Sequence, residues 1–508
     1  MGRSHLQQGP SALLRATSVT RNRGRSSLSA AFILGSILFE VAACGQTPPI
    51  GSAVPSGGNL AKLLAARPVL NQGLTLDQAV AIALKESPVV RGAAEEVQAA
   101  IGRVNAARAE TRPWLSANTF LSGGSNSNIV ASPSATQPQM LMALPRDAFF
   151  DQNLMLMFPL YTGGRLEAAI RQAAAMRNAS QADLAAQRQE VALMTRAAYR
   201  EVLARQALVG VAQARLKENQ ERLRVDQEKF SQGAVPLVTV RRDEAETAAA
   251  QQEVINAQRD VDLALVELKT VMGVHPASRL DLTDTNAYQP SADFLKALTA
   301  GVAVPNQETA LSPELAALLA LAERQRPELQ AAAQRVRGAQ ADIAGAQSAF
   351  LPQVNLFAMG DFQKGRYTAS FLGTTYGLVA SLPLYNGGQR HAHIQTADAE
   401  RRRQEQDREQ VALQVAQEVQ NALLNLHAAE QNIQTARTAQ TAAEEGYRVA
   451  LQRYEAGRSV VVEVLDALAA RTQAESGLVQ ALFQYNVAQD QLLRAVGGLE
   501  NAALDVKH

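Results

Sequence analysis

Apolar positions along this chain follow two periods. Over long stretches they return every three or four residues, as on one face of a helix; over four short stretches they alternate, as on a strand. The helical period is clearest at Ala422, Leu426, Ala429, Ile433, Ala436, then Ala443, Tyr447, Ala450 and Tyr454. These steps form a heptad seam, broken once where Gln440 takes a seam position. Alanine lines much of the remaining surface, which lets neighbouring helices approach on more than one side. The pattern predicts helices over residues 75–111, 165–232, 237–272 and 389–456, the first opened by Thr75 with Asp77 in its first turn. At 1.5 Å per residue the two long helices span roughly 100 Å, and helices such as 237–272 about half of that. Two half-length helices stacked end to end match one long helix, so a tall helical cylinder follows.

The alternating stretches are Leu115–Ser122, Gln152–Phe158, Val354–Phe362 and Thr375–Leu382. In the last, Tyr376, Leu378, Ala380 and Leu382 share one face, and Gly377, Val379 and Ser381 the other. Their lengths approach the 9–11 residues that a tilted strand needs to cross a bilayer. Four strands cannot close a barrel, and open sheet edges are not tolerated in lipid. Closure therefore requires several chains. Two would give eight strands around a lumen filled by side chains; three give twelve and leave room for a channel.

The chain also repeats itself. Phe158-Pro159-Leu160-Tyr161-Thr162-Gly163-Gly164 returns as Leu382-Pro383-Leu384-Tyr385-Asn386-Gly387-Gly388. At the same spacing Phe230-x-x-Gly233 returns as Tyr454-x-x-Gly457, Val240 as Val464 and Gly273 as Gly497. Upstream the spacing widens, so that Pro88, Val97 and Pro113 match Pro327, Val336 and Pro352. The extra residues of the first copy fall in the Ser/Pro-rich stretch Ser125–Pro145, which reads as a loop. Each copy reads helix, strand, strand, long helix, shorter helix. Pro159 and Pro383 stand where strand gives way to helix; proline ends the ladder, and the glycine pairs Gly163-Gly164 and Gly387-Gly388 permit the change of direction.

Charge narrows the function. The 508 residues carry 49 basic and 48 acidic side chains. This balance argues against nucleic acid as a partner. The single cysteine, Cys44, excludes a disulfide within the chain. No apolar run reaches the length of a spanning helix, so a membrane could be crossed only by strands. Arg3, Arg15, Arg21, Arg23 and Arg25 precede a short apolar core, Ala30–Phe39, as in an export signal. Val41-Ala42-Ala43-Cys44 after it resembles the bacterial lipobox, which implies lipidation of Cys44 and a bacterial outer-membrane address.

The twofold repeat, Pro-Leu-Tyr-x-Gly-Gly at each strand-to-helix junction, and Tyr/Phe-x-x-Gly before a Val-rich helix start together resemble the TolC family of outer-membrane efflux channels. The match runs from about residue 74 to residue 498. The resemblance implies a mainly α fold with a membrane β-barrel: a homotrimer with a twelve-stranded barrel in the outer membrane and a long α-helical tunnel in the periplasm. It also implies a periplasmic adaptor (membrane fusion) protein and an inner-membrane transporter of the resistance-nodulation-division type, outer-membrane lipid around the barrel, no cofactor and no enzymatic activity. The lipobox makes the lipoprotein branch, typical of multidrug and metal efflux, the closer relative. The domain order expected is a signal peptide at 1–43, an extended segment at 44–73, repeats at 74–273 and 313–498 joined by a linker at 274–312, and a tail at 499–508.

The resemblance places adaptor contact at the helix-turn tips, Phe230, Gly233, Tyr454 and Gly457. Past the second tip, Val462-Glu463-Val464-Leu465-Asp466-Ala467 resembles the family segment whose two acidic residues project into the closed mouth. Glu463 and Asp466 are three apart and share a helix face. Threefold symmetry gathers six such carboxylates into a cation-preferring entrance ring. Tyr454 fits the tyrosine that holds the family's mouth shut, but Ser459 stands in place of a gating arginine and Thr239 in place of its aspartate partner. A polar latch is thus not expected, and Val460, Val461 and Val462 are left to close the mouth. His391-x-His393 opens a helix with the two rings facing different ways, so a metal pair is not expected. No catalytic constellation or phosphate loop emerges. Two further readings remain open on the sequence: a type I secretion duct for proteins, and a structural periplasmic coiled coil.

Overall fold

The computed structural model describes residues 64–122, 129–131, 141–143, 149–284, 288, 290–300, 312–365 and 371–499. The chain divides into units Met1–Leu63 and Leu64–His508, and all described elements belong to the second. The signal segment, Cys44 and most of the tail lie outside the described residues.

The elements run β1 (Asn71–Leu74), α1 (Leu76–Glu86), α2 (Pro88–Ala109), β2 (Trp114–Ser122), β3 (Ile129–Ala131), β4 (Leu141–Ala143), β5 (Phe149–Tyr161), α3 (Arg165–Ser231) and α4 (Leu237–Met272). They continue as β6 (Arg279–Leu282), α5 (Ser291–Leu298), α6 (Pro313–Gln325), α7 (Pro327–Gln347), β7 (Gln353–Gly365), β8 (Phe371–Ser381), α8 (Gln389–Glu455) and α9 (Val461–Ala495). Helices dominate, and the long ones begin and end within a residue of the expected places.

Three expectations need correction, two here and one in the sheet below. The first helix is not continuous from 75 to 111. It breaks at Ser87, whose extended backbone (φ −60°, ψ 127°) is what the following Pro88 imposes. Arg326 before Pro327 does the same between α6 and α7. The Ser/Pro-rich stretch also holds more than loop, since β3 and β4 pair within it as a short antiparallel ladder.

α3 is the spine, packing against α2, α4, α7 and α9. One apolar core gathers around Tyr199, Val202, Leu268, Met272 and Leu74, joining α1, α3, α4 and β1. A second gathers around Val419, Leu426, Ile433, Tyr485 and Leu492, joining α6, α8 and α9. The predicted seam of α8 is this contact: Ala422, Leu426, Ala429 and Ile433 are buried, and Ala436 to Tyr454 half-buried. Buried charge ties the halves together. Arg196 of α3 pairs with Asp490 of α9 and Asp77 of α1, each at 3.2 Å, and Arg200 reaches Asp490 at 2.6 Å. Such pairs stabilise only because each partner is present; removing one strands the other in low dielectric. The linker is partly structured, since β6 pairs parallel with β1 and α5 packs on α8.

The main sheet is antiparallel in the order β2-β5-β7-β8. Its two hairpins have matching registers: Trp114 faces Met157 as Gln353 faces Ser381, and Leu115 faces Leu156 as Val354 faces Ala380. The inner seam joins β5 to β7, with Met157 opposite Phe357 and Met155 opposite Met359. Pro383 lies past the end of β8, as expected, but Pro159 does not end its ladder. It stays in β5 opposite Asn355, and the strain appears as a register shift before Tyr161. At this level only β7 is paired with β5, because the β2 ladder has already stopped at Met157, and the shift accommodates the missing N–H.

Candidate functional site

Pleating sorts the sheet's side chains onto two faces. One face carries Leu115, Ala117, Leu154, Leu156, Leu356, Phe362, Leu372, Tyr376 and Leu378, and it is open: Tyr376 is 82% and Leu372 78% exposed. The other carries Ser116, Asn118, Asp151, Asn153, Asp361, Gln363 and Thr375, together with Met155 and Met359. A large exposed apolar band backed by a polar face suits a strand layer between lipid and an aqueous lumen. Among the described residues β2 and β8 have no strand on their outer sides.

At each junction from sheet to helix the glycine pair takes left-handed backbone. Gly163 and Gly164 have φ 65° and 85°, and Gly387 and Gly388 have 65° and 87°. The second glycine caps the long helix, accepting from Ala168 at 2.9 Å and from Ala392 at 3.1 Å. The surroundings differ. A Cβ on Gly163 would meet Leu351 Cβ at 2.7 Å and the Ser348 carbonyl at 2.9 Å, whereas at Gly387 nothing lies within 4 Å.

The opposite ends of α3 and α8 carry the predicted tips. Gly233 (φ 74°) and Gly457 (φ 69°) close the helices in the same way. Gly233 donates to the Phe230 carbonyl at 2.9 Å and Ala234 to that of Lys229 at 2.8 Å; Gly457 and Arg458 repeat this with Tyr454 and Arg453. The paired bonds satisfy end carbonyls that would otherwise be orphaned. Phe230, Leu237, Val238, Val460 and Val462 are exposed around the turns. Of the three valines expected to close the mouth, Val460 and Val462 are thus exposed within one chain and Val461 is half-buried.

A polar cluster lies behind the tips, where none was expected. The Tyr454 hydroxyl donates to both carboxylate oxygens of Asp226, at 3.1 and 3.0 Å. Asp226 is fully buried, and Lys229 adds an ion pair at 3.6 Å while its ammonium sits 4.8 Å from the Tyr454 ring centre. Asp243 of α4, also fully buried, accepts from Arg222 at 3.0 Å, and Arg222 donates onward to Asn219. Burial first, and then Asp226 beside it, push the Asp243 carboxyl up to about 6, against the opposing pull of Arg222. Burial and the Asp226 charge likewise raise the Tyr454 phenol, which stays protonated and remains a donor. With Ser459 and Thr239 in place of the family's arginine and aspartate, the two tips are still joined by a polar contact, Tyr454 to Asp226. Asp226 lies four residues before the Phe230 motif, and the family pattern gave no pointer to it.

Glu463 and Asp466 are exposed on the first turns of α9. Glu463 accepts from Ser459 and lies 3.7 Å from Arg453, so within one chain its charge is partly offset. The two hairpins lie side by side here, joined also by Arg471 to Glu218 at 2.7 Å. His391 stacks edge-on to Phe350, its ring centre 5.1 Å away. Among the described residues no group of three or more His, Cys, Asp or Glu could hold a metal ion, and no helix is long and apolar enough to cross a membrane.

Comparison with known proteins bears on the same elements. The family profile described as "Outer membrane efflux protein" matches twice, over residues 79–274 and 318–498. The outer membrane protein TolC of Escherichia coli is 24% identical over 453 residues, 86% of this chain and 84% of its own. The pyoverdine export outer membrane protein OpmQ of Pseudomonas putida is 26% identical over 489 residues, 91% of this chain and 95% of its own. Among solved structures, the outer membrane protein VceC of Vibrio cholerae superposes with a TM-score of 0.63 at 21% identity, covering 83% of this chain and 96% of that one.

Proposed function

The chain belongs to the outer membrane efflux protein family, and from that premise we propose that three copies close into one passive exit duct. The protein is an efflux channel of the outer membrane. In the proposed assembly three four-stranded sheets join edge to edge as a twelve-stranded barrel, apolar face to lipid and polar face to the lumen. Below it the helices form the periplasmic tunnel, and the tips Phe230, Gly233, Tyr454 and Gly457 meet a periplasmic adaptor. The adaptor couples the duct to an inner-membrane transporter, which we assign to the resistance-nodulation-division type, and Cys44 carries the lipid.

The observation that carries the trimer is an asymmetry between the halves of one chain. α7 packs against both long helices, α3 and α8, while α2 packs against only one of them, α3. α3 is buried from Leu166 onward, but α8 has no buried residue before Val415. The free flank of α2 and the bare upper part of α8 are the two halves of one missing contact, and a rotated copy supplies it. The matching hairpin registers supply the strand half of the same closure. A structural coiled coil has no use for the two-faced sheet.

In the trimer, Glu463 and Asp466 bring six carboxylates to the mouth and favour cations. Planar-bilayer recordings test this. Glu463→Gln/Asp466→Asn reduces the cation preference of the reconstituted channel several-fold, and an unchanged preference overturns the ring. Deletion of the gene, followed by exposure to a panel of toxic compounds, tests the efflux role: sensitivity rises for the cargo class, and unaltered sensitivity across the panel contradicts it.

A further inference from the structure

We propose that Asp151 and Asp361 form a binding site for one hard divalent cation, such as Ca2+, on the lumen face of the sheet. They stand on the two central strands, Asp151 on β5 opposite Gln363 and Asp361 on β7 opposite Asn153. The two carboxyls lie within hydrogen-bonding reach of each other. Asp151 is only 8% exposed. Its Oδ1, and the Oδ1 of Asp361, are both closed off from solvent and have no donor. What does reach the pair is neutral: Gln363 Nε2 donates to Asp361 Oδ2 at 2.8 Å. Asn118 Nδ2, at 2.9 Å, is spent on Asn153.

Among the described residues this face of the sheet carries no Lys, Arg or His; Lys364 belongs to the other face. Two carboxylates side by side, with acceptor facing acceptor and no cationic partner, leave the site short of positive charge. A dication fits the deficit and the donor set, because carboxylate oxygens with water completing the shell are the usual ligands of Ca2+. The site also lies on the seam between the two family segments, β5 coming from the first and β7 from the second. A bound cation would staple one hairpin to the other near the end of the strands remote from the helices. In the proposed trimer, three such sites ring the lumen.

The inference rests on the barrel reading, and the test separates the two. Purified protein is stripped with a chelator, then titrated with Ca2+ while its thermal midpoint and calcium stoichiometry are read. One calcium per chain is expected, with a dissociation constant of roughly 10⁻⁴–10⁻³ M, together with a rise in midpoint. Asp151→Asn and Asp361→Asn each abolish the bound calcium and the rise. Each also matches or exceeds the calcium-free midpoint of the unaltered protein, because the repulsion is gone; this shows that the variants are folded. No saturable calcium in the unaltered protein, the same calcium response in the variants, or a midpoint that answers to acid but not to Ca2+ overturns the site. Channel openings and trimers in the same preparation show in each case that the barrel itself stands.

Discussion

Asp243 is the residue whose chemistry is most exposed to its surroundings. The folded state holds its proton more tightly than an unfolded chain does, because burial and the adjacent Asp226 carry the carboxyl from 3.8 to about 6. Its stabilising contribution is therefore complete below pH 3.8 and is lost as pH rises through about 6. Amide exchange at the ends of α3 and α4, corrected for intrinsic rates, should show greater protection at pH 5 than at pH 7.5. Asp243→Asn should flatten that difference, and a variant with undiminished pH dependence would contradict the account. Tyr454→Phe removes one O–H donation, shared between the two oxygens of a buried carboxylate, of the charge-assisted kind that typically contributes about 1.5–3 kcal/mol. It should loosen the second tip from the first, read as a higher resting conductance; unaltered conductance would show that Tyr454 does not hold the mouth. Apart from Tyr454, none of the Asp226 cluster was legible in the sequence. Tyr454 lies 228 residues from Asp226, and a buried Asp on a helix differs from a solvated one only by what the fold sets against it. Gly233 and Gly457 were legible because a turn after a long helical period demands a left-handed residue at one place, and Tyr454 because it stands in the Tyr-x-x-Gly tip motif.

At the scale of elements, the long helices could be read to within a residue, since a 67-residue stretch offers many turns of consistent period. The strands were found but cut short. Within β5 the run Leu154-Met155-Leu156-Met157-Phe158 is apolar on both faces, so alternation fades, and Pro159 looked like a stop although the ladder bends around it. Pro88 carries the signal for the break at Ser87, but the apolar period continues across it and masks it. The junction glycines give an element-scale prediction. Gly163→Ala places a methyl group against Leu351 and Ser348 in addition to left-handed strain of roughly 1–2 kcal/mol, so it should lower the yield of folded chain. Gly387 is open within the chain, and in the proposed trimer the repeat would set it against Arg112 and Ala109 of the next copy, the counterparts of Leu351 and Ser348. Gly387→Ala should therefore fold but assemble poorly, seen as monomer on gels that keep the unaltered trimer intact. Normal assembly of that variant would remove the proposed packing.

The whole molecule is explained by what one chain leaves unfinished: two sheet edges, a free flank on α2, a bare upper α8 and an apolar face with nothing upon it. The sequence announced this through its repeat and its four strands, but pairing order and register came only with the coordinates. Carried across the repeat, the seam pair Met157–Phe357 predicts that Ser381 of one copy lies opposite Asn118 of the next, both on the lumen face. Cross-strand Cα separations of about 4.5–5.5 Å suit a disulfide. The most direct test is to oxidise Asn118→Cys/Ser381→Cys in outer-membrane fractions and run the product unreduced after full denaturation. The account predicts a covalent ladder ending at three chains, reversed by reductant and absent in either single variant. A product that stops at two chains, or stays monomeric while the unaltered protein still forms channels, would contradict it.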